Sequence, residues 1–360
     1  MPGTVETVAS FSIRRTACLD ADGRPLGPLP EFAADTDFLA RLYRGMVLTR
    51  IFDEKAVALQ RTGRLGTFAS SLGQEAVAVG AASAMRPEDV LLPSFRDQGA
   101  QFWRGGTPEE CLLYWGGSER GSRSAAAPED FPICIPVGTQ FPHAVGVATA
   151  FALRRQPRVA LVMGGDGATS RGDFAEALVF AGVWTLPVVF VIANNQWAIS
   201  VPRSQQCAAQ TLAQKAIAAG IEGAQVDGND VIAVHHACDR ALDRARRGGG
   251  ATLIEAVTYR ITDHTTADDA RRYRDDAEVS ASWKREPVAR LRNYLVAQGA
   301  WAKPDEERVL AECRATVEAA AEAYLAAEPE PATAMFDDLY AALPEDLQAQ
   351  RAAVRERADG

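Results

Sequence analysis

The chain has 360 residues, of which 47% are hydrophobic, and its 47 acidic and 38 basic side chains leave a net charge of −9 at pH 7. This length and composition indicate a globular protein with room for one large domain or two ordinary ones. The negative charge, without any Lys/Arg-rich run, argues against a nucleic-acid-binding surface.

Neither a membrane span nor a secretory signal is predicted. The longest uninterrupted apolar runs, such as 186–193, are far too short to cross a bilayer. The first fifteen residues lack the apolar segment of a secretory signal. Six cysteines are scattered without the spacing of metal ligands, and we expect reduced thiols of a cytoplasmic protein, mostly filling the core. They are Cys18, Cys111, Cys134, Cys207, Cys238 and Cys313.

Residues 1–34 are rich in glycine, proline and charge, and we expect them to form an extended N-terminal arm. A helix is predicted from Asp35, because Asp35 or Thr36 can cap it and apolar residues then recur at helical spacing. Those apolar residues are Leu39, Leu42, Tyr43 and Met46.

The middle of the chain alternates between buried strands and helices. Apolar runs predict strands at 157–164, 186–194 and 251–260, and the spacing of apolar residues over 173–184 predicts a helix between the first two strands. Continuous apolar strands separated by helices are typical of an α/β fold, in which a parallel sheet carries helices on both faces.

After about residue 275 no further strands are predicted, and 306–327 has the composition and spacing of a helix. We therefore divide the chain into the arm at 1–34, an α/β domain at 35–275 and C-terminal helices at 276–360. We expect these C-terminal helices to belong to the same globular unit.

An acidic turn follows the first of these strands. Asp166 lies between Gly165 and Gly167, while Asn195 follows the second strand. A right-handed crossover brings the carboxyl ends of both strands to the same edge of the sheet, where the ligands of open parallel sheets bind.

Two common phosphate-binding patterns fail at this turn. Ser170 stands where the dinucleotide fingerprint needs its third glycine, and no Gly-Lys-Ser/Thr follows. A carboxylate and an amide oxygen instead suit Mg²⁺, which commonly bridges protein oxygens to the phosphates of a ligand. Asp166 and Asn195 are therefore candidate Mg²⁺ ligands beside a diphosphate. The alternative is that they are ordinary turn and loop residues.

The segment 164–200 resembles the thiamine-diphosphate motif, in which Gly-Asp-Gly is followed by a crossover helix and then Asn-Asn; it is GGDGATSRGDFAEALVFAGVWTLPVVFVIANNQWAIS. Around it, in the order of one family, stand GQEAVAVGAA, LPSFRDQG, IPVGTQFPHAVGVA, VDGNDV and TYRITDHTTADDARRYR. That family is the alpha subunit of the 2-oxo acid dehydrogenase first component, and the resemblance covers nearly the whole chain. It implies a thiamine-diphosphate-binding fold, with thiamine diphosphate and Mg²⁺ as cofactors.

The resemblance also implies roles for individual residues. Asp166, Asn195 and the backbone carbonyl of Trp197 would bind Mg²⁺, while Arg260 would pair with the diphosphate through its planar fork. Phe95 stands where many members have Tyr, so one hydroxyl contact to phosphate is missing. The residues implied to contact the cofactor are Phe95, Arg96, Ile135, Val137, Gly165, Asp166, Gly167, Ala168, Asn195, Arg260 and His264. Among them, the segment 135–138 would touch the aminopyrimidine through its backbone.

Histidine is scarce in this chain. His235 and His236 lie in a helical pattern as surface or packing residues, and His143 is expected to be structural. His264 matches the catalytic histidine of the family. Thr265 occupies a position that is phosphorylated in some relatives, but nothing in the sequence predicts a kinase.

The charged loop 262–275 has two interpretations. It is either a solvated connector or, as the resemblance implies, a mobile segment that orders over the bound cofactor.

The chain carries only the diphosphate half of a thiamine site. In this family the glutamate that acts on the aminopyrimidine comes from a beta subunit, so the resemblance implies two alpha and two beta chains on a lipoyl-bearing acyltransferase core. The implied reaction is oxidative decarboxylation of a 2-oxo acid with acyl transfer to a lipoyl group. Pyruvate is favoured, a branched-chain acid such as 3-methyl-2-oxobutanoate comes second, and acetoin is third.

Two other classes of protein are alternatives. A nicotinamide-linked dehydrogenase fits the α/β pattern but would need the missing glycine fingerprint. A non-catalytic scaffold would keep the fold and lose the metal ligands, whereas Asp166, Asn195, Arg260 and His264 all remain.

Overall fold

The computed structural model describes residues 3–337 and 339–359 of the chain. Its strands are β1 (Arg14–Thr16), β2 (Val90–Leu92), β3 (Ala160–Gly165), β4 (Val188–Asn194), β5 (Trp197–Ala198), β6 (Val201–Pro202), β7 (Glu222–Asp227) and β8 (Thr252–Val257). Six of them form a central sheet in which all neighbouring strands are parallel, in the order β1-β7-β8-β4-β3-β2. A separate hairpin pairs β5 with β6 in antiparallel fashion.

Helices cover both faces of this sheet and form the C-terminal part of the chain. They are α1 (Thr36–Arg61), α2 (Glu75–Ser83), α3 (Gln98–Trp103), α4 (Pro108–Trp115), α5 (Gln140–Leu153), α6 (Gly172–Val183), α7 (Arg203–Gln206), α8 (Lys215–Ala219), α9 (Val231–Arg246), α10 (Asp276–Trp283), α11 (Pro287–Ala297), α12 (Lys303–Ala326) and α13 (Glu345–Asp359). None of the helices in the described ranges combines the length and apolarity that crossing a bilayer requires.

Successive residues of the central strands pack into two different cores. On β3, Leu161 and Met163 face the core built with α1, α2, α9, α11 and α12, whereas Ala160 and Val162 face the core built with α5, α6 and α8. Because both faces are covered, every position along the strand is apolar, which explains the uninterrupted apolar runs in the sequence. The predicted α/β fold, with a parallel sheet and helices on both faces, is confirmed.

The predicted strands are present as β3, β4 and β8, and the predicted crossover helix is α6. The first long helix, α1, begins at Thr36, and the Asp35 side chain caps it by accepting a hydrogen bond from the Phe38 N–H at 2.9 Å. Helix α12 begins at Lys303 rather than at 306.

The N-terminal arm contributes a strand to the sheet, which the sequence alone does not predict. β1 pairs in parallel with β7 at the edge of the sheet. Asp230 at the start of α9 holds the chain after β1, since its carboxylate accepts hydrogen bonds from the N–H groups of Cys18 and Leu19, both at 2.7 Å. The sequence analysis does not predict β2 and β7 either, because β2 is only three residues long and β7 lacks a continuous apolar run.

Candidate active site at the carboxyl edge of the sheet

Three neighbouring strands bring the predicted site residues to one edge of the sheet. β3 pairs with β4 and β4 pairs with β8, so the carboxyl ends of these strands lie side by side. Asp166 directly follows β3 and Asn195 directly follows β4. Arg260 comes shortly after β8, and its backbone N–H donates to the Asn195 carbonyl at 3.2 Å. The structure therefore gathers the three residues that the sequence places after these strands.

Asp166 is a buried carboxylate at the end of β3. It opens a short 3₁₀ turn, Asp166–Ser170, and the residue is only 1% exposed. Its Oδ2 accepts a hydrogen bond from Gln206 Nε2 at 2.8 Å. Burial raises the pKa of this carboxyl group, while the hydrogen bond and the charge of Arg260 act in the opposite direction. A bound cation would offset the desolvation of the charged carboxylate.

Small residues surround Asp166 and leave space next to it. A Cβ atom added to Gly167 would lie 2.7 Å from the Cβ of Ala198, so no larger residue fits there. A Cβ atom added to Gly165 would meet nothing within 4 Å. Ala168 is buried in the core beside α5 and α6. Gly165 therefore borders open space at the strand end, whereas Gly167 and Ala168 pack against protein.

Asn195 and Trp197 form a tight turn after β4. Asn195 is buried; its Nδ2 donates to Gln74 Oε1 at 3.0 Å, and its Oδ1 accepts from the Trp197 backbone N–H at 3.2 Å. Gln196 between them has a φ of 74°, a left-handed conformation that reverses the chain. The carbonyl of Trp197 accepts a hydrogen bond from Arg260 Nη1 at 3.2 Å.

The candidate metal ligands are all oxygen atoms. Asp166 offers a carboxylate, Asn195 an amide oxygen and Trp197 a backbone carbonyl, and such hard donors are the ligands that Mg²⁺ prefers. In the described parts of the chain, no three His, Cys, Asp or Glu side chains cluster as a metal site. The donor set at this edge thus fits a cation that is shared with a ligand.

Two buried arginines lie beside this turn without a carboxylate partner. Arg260 is 0% exposed and donates to the Ile199 carbonyl at 2.8 Å and to the Tyr273 hydroxyl at 3.0 Å. Arg96 is 7% exposed and donates to the carbonyls of Ser70 at 2.5 Å and His264 at 2.9 Å. Neither forms an ion pair with a described carboxylate. Two buried guanidinium groups with neutral partners fit a polyanion such as diphosphate.

The charges of these arginines affect one another. Burial and the charge of Arg260 lower the pKa of Arg96 to about 10. Burial likewise lowers the pKa of Arg260, and neighbouring Arg274 adds to the effect. A bound anion would reverse both shifts, because it favours the charged forms.

His264 lies between the two arginines. Its Nδ1 is 3.2 Å from Arg96 Nη2 and 3.3 Å from Arg260 Nη1. Since a guanidinium group only donates hydrogen bonds, Nδ1 is the acceptor and the ring proton resides on Nε2. Burial, followed by the charges of Arg96 and Arg260, lowers the pKa of His264 to about 4. The imidazole is therefore neutral near pH 7, with Nε2–H as its donor.

The loop 262–275 is closed over these side chains. Two hydrogen bonds join Thr266 to the backbone of Phe68. The Thr266 backbone N–H donates to the Phe68 carbonyl at 2.9 Å, and Thr266 Oγ1 accepts from the Phe68 N–H at 3.0 Å. The Tyr273 hydroxyl accepts from Arg260 and donates to Asp268. The Asp268 carboxylate also accepts from the backbone N–H of His264 at 2.8 Å. The loop is thereby linked to both a predicted diphosphate ligand and the predicted catalytic histidine.

Of three further predicted residues, Phe95 contacts the site. The Phe95 ring stands 6.1 Å from the His264 ring, and the Arg96 guanidinium lies 5.3 Å from the centre of the Phe95 ring. Phe95 therefore packs against the site without offering a hydrogen bond. Ile135 and Val137 precede α5 with half-exposed side chains, at 50% and 46%.

The remaining histidines lie away from this site. His235 packs against the rings of Phe32 and Phe38, with centroids 4.4 and 5.0 Å away, and its Nδ1 is 2.8 Å from Ser83 Oγ. His143 is exposed on α5, near the Phe131 ring. All six cysteines are free thiols, and four of them are buried.

Two contact residues of the site escaped sequence reasoning. Gln74 contacts Asn195 and Gln206 contacts Asp166 through hydrogen bonds that join distant loops. Gln74 stands inside a segment that resembles the family, so its motif was visible but its hydrogen-bond partner was not. Gln206 lies just beyond the motif segment, and no local pattern marks it.

The sequence matches the family described as "Dehydrogenase E1 component" over residues 43–333. It is 44% identical over 314 residues to the 3-methyl-2-oxobutanoate dehydrogenase subunit alpha of Mycobacterium tuberculosis, covering 87% of this chain and 86% of that protein. It is 40% identical over 320 residues to the pyruvate dehydrogenase E1 component subunit alpha of Staphylococcus aureus, covering 89% and 86%. The family is thiamine-diphosphate dependent, and an alpha subunit implies a beta partner. The predicted family is confirmed: this chain belongs to the dehydrogenase E1 component family, as an enzyme alpha subunit of the 2-oxo acid dehydrogenase type.

Proposed function

We propose that the carboxyl edge of the sheet binds the diphosphate of thiamine diphosphate through Mg²⁺. The observation that carries this proposal is the pair Arg96 and Arg260, two buried cations that have only neutral hydrogen-bond partners in the described structure. Burying two guanidinium groups side by side costs free energy unless an anion is bound. The diphosphate supplies that anion.

Asp166, Asn195 and the Trp197 carbonyl are the proposed Mg²⁺ ligands. Asp166 brings the formal charge, and the other two bring neutral oxygens. Because the carbonyl of Trp197 accepts from Arg260 in this structure, Arg260 would shift its Nη1 toward the diphosphate when the metal takes that carbonyl.

The glycine turn and the segment before α5 would complete the contacts. Gly165, next to open space, and the packed pair Gly167 and Ala168 would line the diphosphate with their backbone N–H groups. Ile135 and Val137 would contact the aminopyrimidine through their backbone, while Phe95 would pack at the side of Arg96.

His264 is the proposed catalytic residue. Bound thiamine diphosphate supplies the carbon nucleophile that attacks a 2-oxo group and the electron sink for decarboxylation. His264 is neutral near pH 7, so its Nε2–H can donate a hydrogen bond to an oxygen beside the cofactor. Its Nδ1 is occupied by both arginines, which orients the ring.

We place the chain in an assembly of two alpha and two beta chains that docks on a lipoyl-bearing acyltransferase core. The exposed apolar side chains of Ile135 and Val137 support a beta chain next to this segment, since the family takes the glutamate for the aminopyrimidine from its beta subunit. The six free thiols support the cytoplasm as the compartment.

Pyruvate is the proposed substrate, and 3-methyl-2-oxobutanoate is the second candidate. The name of the 40% identical relative favours pyruvate, and the name of the 44% identical relative favours 3-methyl-2-oxobutanoate. Acetoin is a weaker third.

The test is turnover by the chain co-expressed with its beta partner, with each 2-oxo acid and a lipoyl acceptor, in the presence and absence of Mg²⁺ and thiamine diphosphate. We expect cofactor-dependent decarboxylation that the isolated alpha chain lacks. Turnover by the isolated chain would contradict the proposed division between subunits.

A further inference from the structure

A glutamine holds each of the two proposed side-chain ligands of Mg²⁺. Gln206 Nε2 donates to Asp166 Oδ2 at 2.8 Å and to the Val201 carbonyl at 3.0 Å. Gln74 Oε1 accepts from Asn195 Nδ2 at 3.0 Å. The other amide atoms, Gln206 Oε1 and Gln74 Nε2, are buried without a hydrogen-bond partner in the described structure. Buried amide atoms without partners cost free energy, so stability alone does not explain these two side chains.

The backbone determines how Gln74 is oriented. Asn195 Oδ1 accepts from the Trp197 N–H, and an amide that uses its oxygen there must direct its NH₂ group the other way. Gln74 must consequently offer an acceptor to Asn195. In this arrangement Asn195 Oδ1 retains a second lone pair for a cation.

Gln206 acts in the opposite sense, as a donor. Both of its partners, the Asp166 carboxylate and the Val201 carbonyl, only accept, so the NH₂ group must face them. Gln206 therefore holds Oδ2 of Asp166, whereas Oδ1 accepts from no side chain among the described residues. The free Oε1 of Gln206 lies 3.9 Å from the position that a Cβ on Gly167 would take, which places it at the glycine turn.

We propose that Gln74 and Gln206 are positioning residues that make the site selective for Mg²⁺ over Ca²⁺, Gln74 as the acceptor that orients Asn195 and Gln206 as the donor that orients Asp166. This inference rests on the proposed function. Mg²⁺ requires near-ideal octahedral geometry at about 2.0–2.1 Å, whereas Ca²⁺ accepts longer and more variable distances. Ligands that are held in one orientation therefore favour the smaller ion.

The test uses the assembled alpha–beta protein and measures the cation concentration that gives half-maximal thiamine diphosphate binding by calorimetry, with Mg²⁺ and separately with Ca²⁺. Gln74→Met and Gln206→Met should each raise the half-saturating Mg²⁺ concentration about 10- to 100-fold and the Ca²⁺ concentration by less. Gln225→Met is the matched control, because Gln225 also donates to a buried carboxylate, that of Glu255 at 3.1 Å, which is no proposed ligand. Its cation dependence should equal that of the wild type.

Substitution by glutamate distinguishes orientation from bulk packing. Gln74→Glu keeps an acceptor for Asn195 and should retain Mg²⁺ dependence within about threefold of the wild type. Gln206→Glu places a carboxylate against Asp166 and should lose Mg²⁺ at least as strongly as Gln206→Met. If the two glutamines only filled space, glutamate should have the same effect on Mg²⁺ dependence at both positions. The glutamate variants also test the proposal if either methionine variant fails to fold.

Three results would overturn the proposal: wild-type Mg²⁺ dependence in both methionine variants, equal losses for Mg²⁺ and Ca²⁺, or the same effect of both glutamate variants. Asp166→Ala separates these failures from a failure of the proposed function. If Asp166→Ala retains wild-type Mg²⁺ dependence, the metal site itself is wrong. If it loses that dependence while the glutamine variants do not, only the positioning role is wrong.

Discussion

Replacing Arg96 with methionine should leave the ligand-free protein nearly as stable as the wild type and remove most of its affinity for diphosphate. Burial and the charge of Arg260 lower the pKa of Arg96 from 12.5 to about 10. At about 1.36 kcal/mol per pKa unit, the charged side chain is disfavoured by about 3 kcal/mol when no anion is bound. Methionine removes this cost but loses three hydrogen bonds, to the carbonyls of Ser70 and His264 and to Nδ1 of His264, each worth about 1 kcal/mol. The two effects nearly cancel, so the free energy of unfolding should change by no more than about 1 kcal/mol.

Arg104→Met is the matched control for this prediction. Arg104 is also an inward-facing arginine, with a side chain that is 9% exposed, but it pairs with Asp130 at 2.9 Å. Removing one partner of a buried ion pair leaves an uncompensated charge and costs about 3–5 kcal/mol. Arg104→Met should thus be clearly destabilised and should keep its affinity for diphosphate.

The assay is denaturant unfolding of the assembled alpha–beta protein at one protein concentration, with and without Mg²⁺ and inorganic pyrophosphate. A charge-assisted hydrogen bond contributes about 1.5–3 kcal/mol, so Arg96→Met should bind pyrophosphate about 10- to 150-fold more weakly. If Arg96→Met is destabilised as much as Arg104→Met, or if pyrophosphate stabilises it as well as the wild type, Arg96 is a structural arginine and not a diphosphate ligand.

Three further predictions concern the metal, the loop and the histidines. Asp166→Ala should abolish the Mg²⁺-dependent rise in unfolding temperature on adding thiamine diphosphate while leaving the ligand-free circular dichroism spectrum unchanged; an unaltered rise would remove Asp166 from the metal site. Hydrogen exchange across 260–275 should slow when Mg²⁺ and thiamine diphosphate are added to the alpha–beta protein, because Arg260 gains a phosphate; identical exchange would favour a solvated connector. The pKa values of His235 and His264 are lowered from 6.5 to about 4, so their neutral forms stabilise the fold fully above pH 6.5 and this stabilisation is lost as the pH falls towards 4. His235→Phe should flatten the fall in unfolding free energy over that range, and an unchanged slope would contradict a buried neutral imidazole.

Local sequence patterns predict the central strands β3, β4 and β8 and the edge of the sheet at which Asp166 and Asn195 meet. Uninterrupted apolar runs predict β3 and β4, and a run broken by Glu255 predicts β8, since a strand covered on both faces does not alternate between apolar and polar residues. Parallel strands joined by a right-handed crossover end at one edge, so two residues that follow such strands converge even without a structure. The roles of Arg260 and His264 came from the resemblance to the family and not from their spacing.

The side chains that surround these residues are set by tertiary contacts. Arg96 and Arg260 both contact His264, Gln74 contacts Asn195, and Gln206 contacts Asp166. The paths of irregular loops set these pairings, and loops carry no periodicity from which a partner can be read. The same reason hides β1, whose three residues form a strand only because the exposed edge of β7 offers them hydrogen bonds. Local patterns thus determine strands and their ends, while the charge state and tautomer of His264 depend on contacts between segments far apart in the chain.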